Sequence, residues 1–214
     1  MSRRFLVEPD SSSAEPFRAL RLAIETRPDT RTTKGLVFTS PRRLDGRSTI
    51  AANYAAVAAL VQRPVLLIDA DMRNSSLHEL FDRPRAPGLV DVLRDQLDPW
   101  QVAHTFPSLG GLQVLTAGSL LSSPGDVAAS PAMGELLERA YEEYEVVVLD
   151  SPATLSAADA SGLASHPGTN VVMVVNHAGK RRHVVSALRK LALTEANVLG
   201  LVVNREGTLA ADFS

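Results

Sequence analysis

The stretch TSPRRLDGRSTIAANYA, residues 39–55, decides how the rest of the chain is interpreted, because it joins an apolar segment to a helical pattern. The preceding segment, KGLVFTS (34–40), has the composition of a buried strand, and the residues from Ser48 onward have helical spacing. A loop placed between a strand and a helix N-terminus is a natural phosphate cradle, since free backbone N–H groups and the positive end of the helix dipole point towards it. The stretch therefore raises the possibility of a nucleotide site.

The stretch matches the phosphate-binding P-loop pattern, G-x-x-x-x-G-K-S/T, only in part. Gly46, Ser48 and Thr49 fit the pattern. Pro41 occupies the position of the first glycine, and Arg47 occupies that of the lysine. Taken alone, the loop fails as a P-loop match and fits a plain turn between a strand and a helix better.

Near-continuous apolar runs recur along the chain, and they are rich in β-branched residues. Such runs are typical of strands buried on both faces of a parallel sheet. The further predicted strands are 64–70, 112–117, 145–151, 170–176 and 197–204.

Helical patterns alternate with these runs, which indicates crossover helices on both faces of the sheet. The predicted helices are 14–26, 48–62, 76–82, 88–95, 98–104, 130–143, 156–164 and 180–193. Ser76 with Glu79 predicts a capping box, and Ser130 before Pro131 predicts an N-cap followed by a first-turn proline. We therefore expect an α/β fold, a three-layer, doubly wound and mostly parallel sheet, with functional loops at the carboxyl ends of the strands.

Composition excludes several classes of function. The 214 residues include no cysteine, which excludes disulfides, thiol catalysis and zinc–thiolate sites. A net charge of −2 argues against a general nucleic-acid binder. No stretch has the length and apolarity of a transmembrane segment or a signal peptide, so we expect one soluble domain without a membrane span of its own.

Acidic residues follow two of the predicted strands. Asp69 and Asp71 lie two residues apart in LLIDADMR (66–73). Asp150 ends VVVLD (146–150), the pattern of a Walker B strand that holds magnesium. Carboxylates are costly to bury without a cation or a partner. Three such carboxylates downstream of a P-loop-like turn favour a magnesium nucleotide site over the alternative that each acid only belongs to an unrelated turn.

The chain resembles the bacterial tyrosine kinases of capsule and exopolysaccharide synthesis, within the MinD and ParA group of P-loop ATPases. The resemblance runs from about Glu15 to Arg205. It rests on motifs in the family's order and spacing: EPFRALR (15–21) for the E-x-x-R-x-x-R helix, TSPRRLDGRST (39–49) for Walker A, VLLIDADMR (65–73) for Walker A′, YEVVVLDSP (144–152) for Walker B, and VLGLVVNR (198–205).

The resemblance implies ATP and Mg²⁺ as cofactors and transfer of a phosphoryl group to tyrosine. The implied nucleotide-binding residues are Leu44, Asp45, Gly46, Arg47, Ser48, Thr49, Asn204 and Arg205, the last two beside adenine. The implied metal residues are Ser48, Asp69 and Asp150. Asp69 and Asp71, with Arg47, are the implied catalytic residues, the two acids activating the tyrosine hydroxyl.

The resemblance also implies assembly. Glu15, Arg18 and Arg21 would pair across subunits of a homo-oligomeric ring, and a membrane-embedded chain-length regulator or adaptor would hold the protein at the cytoplasmic face of the membrane. The expected division is a single domain over 1–214, with an oligomerisation helix and lead-in (1–30), a nucleotide-binding core (31–205) and a short tail (206–214).

The sequence departs from the family where the phosphates would be held. The family's P-G-E-G-K is Arg43-Leu44-Asp45-Gly46-Arg47 here. At position 47, arginine has a planar guanidinium where lysine has a compact ammonium. At position 44, leucine has a steric cost that glycine lacks if the backbone needs a positive φ. The three tyrosines of the chain lie in predicted helices or beside a strand and do not form a tail cluster. A catalytically impaired assembly scaffold with weak or no nucleotide binding is therefore the alternative to a kinase.

Overall fold

The computed structural model describes residues 6, 8, 11–30, 33–121, 123–194 and 196–205. Seven strands of this part form one sheet, in the order β3-β4-β2-β5-β1-β6-β7. Their bounds are β1 Gly35–Thr39, β2 Val65–Asp69, β3 His104–Phe106, β4 Leu112–Leu115, β5 Val146–Asp150, β6 Thr169–Asn176 and β7 Val198–Asn204. All neighbours are parallel except β3 and β4. The mostly parallel α/β sheet that the sequence predicts is confirmed, and β3 is an addition to it.

Helices follow the strands as crossovers. Their bounds are α1 Glu15–Glu25, α2 Arg47–Ala59, α3 Leu77–Leu80, α4 Leu89–Asp95, α5 Pro99–Val102, α6 Pro124–Ala128, α7 Pro131–Glu143, α8 Asp159–Ala164 and α9 Arg181–Ala192. The helix predicted over 98–104 ends at Val102, because the following residues pair as β3. The short helix α6 was not predicted.

Two apolar cores lie on opposite faces of the sheet. Within each buried strand, alternate side chains enter opposite cores: Phe38 packs on the side of α1, α2 and α3, whereas Val37 packs on the side of α4 and of α6 to α9. This alternation explains why the strands are apolar throughout. In α1, Phe17, Leu20 and Ile24 contact the first core, as the helical spacing predicts.

The two predicted caps behave differently. The Ser130 hydroxyl accepts a hydrogen bond from Met133 N at 3.2 Å, which confirms the N-cap of α7. Ser76 is the N-cap residue of α3, but its side chain makes no capping bond, so the predicted capping box with Glu79 is wrong. The backbone N–H groups of Ser76 and Leu77 donate instead to Asp69 Oδ2, at 3.2 and 3.0 Å.

The strand order brings the polar motifs together. β1 lies between β5 and β6, and β5 lies between β1 and β2. Asp69 of β2 and Asp150 of β5 are in register at the carboxyl ends of their strands. Phe38 of β1 pairs with Asp150, so the loop that follows β1 lies beside both acids. Across the described residues, no helix is both long and apolar enough to cross a bilayer.

Candidate nucleotide and metal site

The loop between β1 and α2 has the backbone that a phosphate cradle needs. Gly46 is the N-cap of α2 with φ 93°, and Leu44 has φ 67°. The left-handed region costs a residue with a side chain about 1–2 kcal/mol. Position 44 therefore does require a positive φ, as the departure from the family's glycine suggested. The Leu44 side chain is 83% exposed, so no packing compensates for this cost.

Two side chains that the sequence assigns to nucleotide binding shape this loop. Asp45 Oδ2 accepts a hydrogen bond from Arg42 N at 3.0 Å, which closes the turn. Asn204 Nδ2, at the end of β7, donates to the Asp45 carbonyl oxygen at 2.9 Å. A Cβ atom at position 46 would lie 2.1 Å from Asn204 Nδ2 and would displace that side chain, and the φ of 93° also favours glycine there.

The three acids lie close together and out of solvent. Asp69 and Asp150 are completely buried, and Asp71 is 2% exposed. Asp69 uses one oxygen to cap α3, while Asp71 Oδ1 accepts a hydrogen bond from Asn74 N at 2.9 Å. These backbone bonds orient the carboxylates but leave part of their charge uncompensated.

Arg47 supplies the compensating charge. Its side chain is buried, and its guanidinium donates to Asp71 Oδ2 and to the carbonyl oxygen of Ser151. Its Nε lies 3.4 Å from Asp150 Oδ1. The cation at the lysine position of the loop therefore points into the acids.

The pKa values of the acids reflect burial and mutual repulsion. Burial, with repulsion from Asp150 and Asp71, raises the pKa of Asp69 well above its ordinary value. Burial also raises the pKa of Asp150 to about 6, although Arg47 and the Ser48 hydroxyl oppose this shift. Asp69 Oδ1 and both oxygens of Asp150 lack a hydrogen bond of regular geometry. Buried carboxylate oxygens in this state favour binding of a further cation.

The donor set fits magnesium carried by a nucleotide. Among the described residues, no group of three or more His, Cys, Asp or Glu side chains is arranged to hold a metal by itself. Mg²⁺ is usually held by one or two protein ligands, with waters and substrate phosphates completing its shell. Ser48 in the first turn of α2 and Asp150 at the end of β5 could supply those ligands, with Asp69 behind them.

A cavity of about 260 Å³ opens at this loop. It is lined by Arg43, Leu44, Gly46, Arg47, Ser48, Thr49, Asp71, Asn74, Ser76 and Arg205. Most of the predicted nucleotide residues therefore share one cavity. Asp69 and Asp150 are not part of its lining.

The sequence does not predict two of the residues that line the cavity beyond β2. Asn74 and Ser76 line the cavity from the segment after β2. The neighbouring Arg73 does not line the cavity and instead forms a two-pronged pair with the buried Asp159 of α8, at 3.1 and 3.3 Å. The position of Asn74 and Ser76 shortly after DADMR (69–73) was the only available signal, and it does not show which side chains face the cavity.

The helix α1, where the sequence predicts a subunit contact, contributes no residue to the lining of this cavity. Glu15 and Arg18 form an exposed pair within the helix at 2.9 Å. Arg21 pairs with Glu25 at 3.0 Å and is only 16% exposed. Within one chain, Arg21 is therefore already engaged, whereas Glu15 faces solvent.

Comparisons with known proteins agree with this geometry. The chain is 32% identical over 199 residues to tyrosine-protein kinase YwqD of Bacillus subtilis. The aligned region covers 93% of this chain and 84% of YwqD. The chain belongs to the bacterial tyrosine-protein kinase family. No protein-family model matches it.

Solved structures place the fold in the same family. The chimerical protein CapA2B2 matches with a TM-score of 0.86 at 31% identity, over 92% of this chain and 87% of that one. The kinase domain of Escherichia coli ETK matches with a TM-score of 0.86 at 26% identity, over 95% and 80%. A Mycobacterium smegmatis cobyrinic acid a,c-diamide synthase, solved with an ATP analogue and magnesium, has a TM-score of 0.64 at 19% identity over 80% and 74%, a likeness of fold alone.

Other relatives are much longer than this chain. EpsB of Ralstonia solanacearum is 32% identical over 196 residues, and Etk of Escherichia coli K12 is 28% identical over 196 residues. The chain spans 26% of EpsB and 27% of Etk, so it corresponds to about a quarter of each of these relatives.

Proposed function

We propose that this chain is an ATP-dependent protein-tyrosine kinase domain that transfers the γ-phosphoryl group of Mg-ATP to a tyrosine hydroxyl. The observation that supports this most strongly is the set of buried acids, Asp69, Asp71 and Asp150, directly beside a P-loop backbone. In a family of tyrosine-protein kinases, such a set has a clear use: it would hold the metal ion that the nucleotide carries, and one of its acids would accept a proton.

Each residue has a defined task in this proposal. The backbone N–H groups at the start of α2, with Ser48 and Thr49, would bind the phosphates. Bound magnesium would neutralise charge that develops on the transferred group. Asp71 is the acid of the set that lines the cavity, so it is the one placed to accept the proton of the tyrosine hydroxyl. Asp69 and Asp150 would lie on the metal side, and Arg205 near the base.

The proposal extends to the setting in which the kinase acts. We infer that the chain regulates capsule or exopolysaccharide synthesis and export, bound to the cytoplasmic face of the membrane through a chain-length regulator or adaptor. We further propose assembly into a homo-oligomeric ring through α1. The exposed Glu15, and Arg18 beside it, support an intersubunit contact better than Arg21, which already pairs with Glu25.

An assembly scaffold with little or no turnover is the second candidate. The observations that favour it are the strained Leu44 and the inward-facing Arg47. A loss of about 2.7 kcal/mol in transition-state stabilisation already lowers a rate about 100-fold. Either departure could cause a loss of this size.

Two measurements on the same protein preparation separate the candidates. The first is equilibrium binding of a fluorescent ATP analogue with magnesium to the wild type and to Arg47→Lys. The second is transfer of labelled phosphate to a glutamate–tyrosine copolymer. We expect magnesium-dependent binding and transfer by the wild type, and loss of transfer in Asp71→Asn.

The scaffold candidate makes the opposite prediction. It requires no binding to the wild type and recovery of binding in Arg47→Lys. The matched control is Arg73→Lys, which changes a neighbouring arginine that pairs with Asp159 outside the acid set. This variant should behave like the wild type in both measurements.

A further inference from the structure

Arg47 occupies the space between the acids in the nucleotide-free chain. Its guanidinium contacts Asp71 and the Ser151 carbonyl oxygen, and its Nε lies 3.4 Å from Asp150. The side chain is 8% exposed, so solvent screens these contacts only weakly. The residue expected to hold phosphate therefore holds the carboxylates that a magnesium nucleotide would need.

In the described part of the chain, the ion pairs of Asp71 and Asp150 are all formed with Arg47. The neighbouring Arg73 pairs with Asp159, away from this set. Removing the Arg47 charge would thus leave several buried carboxylates without a counter-ion. Such a cluster is strongly destabilising unless it takes up protons or a cation.

We propose that Arg47 is a built-in counter-ion that closes the metal site of the nucleotide-free chain and opens it only when phosphates draw the guanidinium away. This inference rests on the proposed use of Mg-ATP and deepens it. The guanidinium and a divalent cation would compete for the same carboxylates and repel each other at contact distance. Phosphate oxygens offer an alternative partner with the two-pronged geometry that guanidinium groups prefer.

Coupling between nucleotide and metal follows from this competition. The nucleotide removes the competing cation, so it raises the affinity for metal. By thermodynamic reciprocity, metal raises the affinity for nucleotide by the same factor. A lysine at this position, with a single compact ammonium, could not contact both Asp71 and the Ser151 carbonyl in the same way. Coupling should therefore be weaker in Arg47→Lys.

The decisive experiment measures divalent metal binding without any nucleotide. Mn²⁺ is titrated into the full chain, and free Mn²⁺ is followed by electron paramagnetic resonance. We expect the wild type to show no saturable binding below about 1 mM, and Arg47→Gln to bind one Mn²⁺ at least about tenfold more tightly, which corresponds to about 1.4 kcal/mol. Arg47→Lys should lie between them. Addition of ADP should bring the wild type to one bound Mn²⁺.

Arg73→Gln is the matched control, because it removes an arginine that neutralises a buried aspartate next to the site. It should leave Mn²⁺ binding like that of the wild type. Circular dichroism melts with and without Mn²⁺ accompany each titration. Mn²⁺ should raise the melting temperature of Arg47→Gln more than that of the control. If Arg47→Gln does not fold, the nucleotide-free titrations of the wild type and Arg47→Lys decide the matter, and equal Mn²⁺ affinities of these two proteins would overturn the proposal.

Mn²⁺ binding by the nucleotide-free wild type that is as tight as its binding with ADP would overturn the proposal. So would equal Mn²⁺ affinities of folded wild type and Arg47→Gln. Neither outcome depends on phosphoryl transfer. Tighter nucleotide-free Mn²⁺ binding by Arg47→Gln, together with a wild type that does not label a tyrosine copolymer, would keep the counter-ion role and lose the proposed kinase activity.

Discussion

Leu44 is the residue where the strain of the phosphate loop is concentrated. It adopts φ 67° with an exposed side chain at the mouth of the cavity. Leu44→Gly should remove a conformational cost of about 1–2 kcal/mol. Part of this gain is offset because glycine also loosens the unfolded chain, by about 0.4–1 kcal/mol. We expect a net stabilisation of at most about 1.6 kcal/mol in urea unfolding, and tighter binding of a fluorescent ATP analogue by about threefold to tenfold.

Gln62 provides the control for this prediction. It also has a positive φ, 62°, but lies after α2 and away from the cavity. Gln62→Gly should reproduce the change in stability and leave nucleotide affinity unchanged. If both variants changed affinity equally, the effect of Leu44 would be one of global stability and not of access to the loop.

Asp69 should make the stability of the nucleotide-free chain depend on pH. Its pKa is raised by burial and by Asp150, so its favourable protonated form is lost as pH rises through the folded-state pKa. Asp69→Asn keeps an oxygen to cap α3 and carries no charge at any pH. The variant should therefore be more stable than the wild type at pH 8, and this difference should shrink towards pH 5. In a thermal melt, each 1 kcal/mol of added unfolding free energy should raise Tm by about 2–4 °C.

Asp91 is the matched control with the opposite sign. Burial alone would raise the pKa of Asp91, but hydrogen bonds from Ser119 and Gly88 outweigh it and lower the pKa. Asp91→Asn should destabilise the chain most at high pH, and the loss should diminish as pH falls through the range where the wild-type carboxylate protonates. Parallel pH profiles for the two variants would contradict both assignments.

At the scale of elements, the end of β7 controls the phosphate loop. Asn204 Nδ2 holds the Asp45 carbonyl oxygen at 2.9 Å across the sheet's carboxyl edge. Asn204→Ala should release the loop, with a stability loss of about 0.5–1.5 kcal/mol for one hydrogen bond and about a tenfold weaker affinity for nucleotide. Isothermal titration with ADP and magnesium measures the second effect.

The same strand offers the control. Asn197 lies just before β7, at the amino end of that strand, and its side-chain nitrogen donates to Asn170 Oδ1 at 2.7 Å. Asn197→Ala should cost similar stability without weakening ADP binding. A similar loss of ADP affinity in both variants would show that β7 affects the site through general stability.

The sequence predicts elements better than it predicts contacts between them. Six strands are apolar enough to be predicted: five are buried, and β7 is equally apolar although Leu201 and Val203 are about half exposed. In contrast, β3 has three residues, HTF, too few to show a period.

The capping of α3 by Asp69 could not be predicted, because Asp69 and the Leu77 N–H group come together only when β2 and the following loop fold. Likewise, the sequence shows that position 47 carries a positive charge. It does not show that the Arg47 side chain points towards Asp71 and Asp150, because that direction depends on the loop backbone.

At the scale of the whole molecule, the positions of the tyrosines determine which protein can be phosphorylated. Tyr54 is 1% exposed and Tyr144 is 6% exposed. The Tyr141 hydroxyl is buried without a hydrogen bond of regular geometry. Burial raises the pKa of Tyr144 to about 12 and raises the pKa of the other two further, so none is poised to lose a proton.

We therefore expect this chain to phosphorylate a tyrosine outside itself. With labelled ATP and magnesium, the chain alone should incorporate less than about one tenth of the label that an equimolar tyrosine-containing acceptor receives, since exposing a buried tyrosine requires local unfolding. Phosphopeptide mapping by mass spectrometry distinguishes the two acceptors. A Tyr144→Phe control should not alter labelling of the added acceptor, although it loses the 2.7 Å hydrogen bond to Gln113. Stoichiometric phosphate on Tyr54, Tyr141 or Tyr144 of a folded chain would contradict this expectation and place the acceptor within the domain.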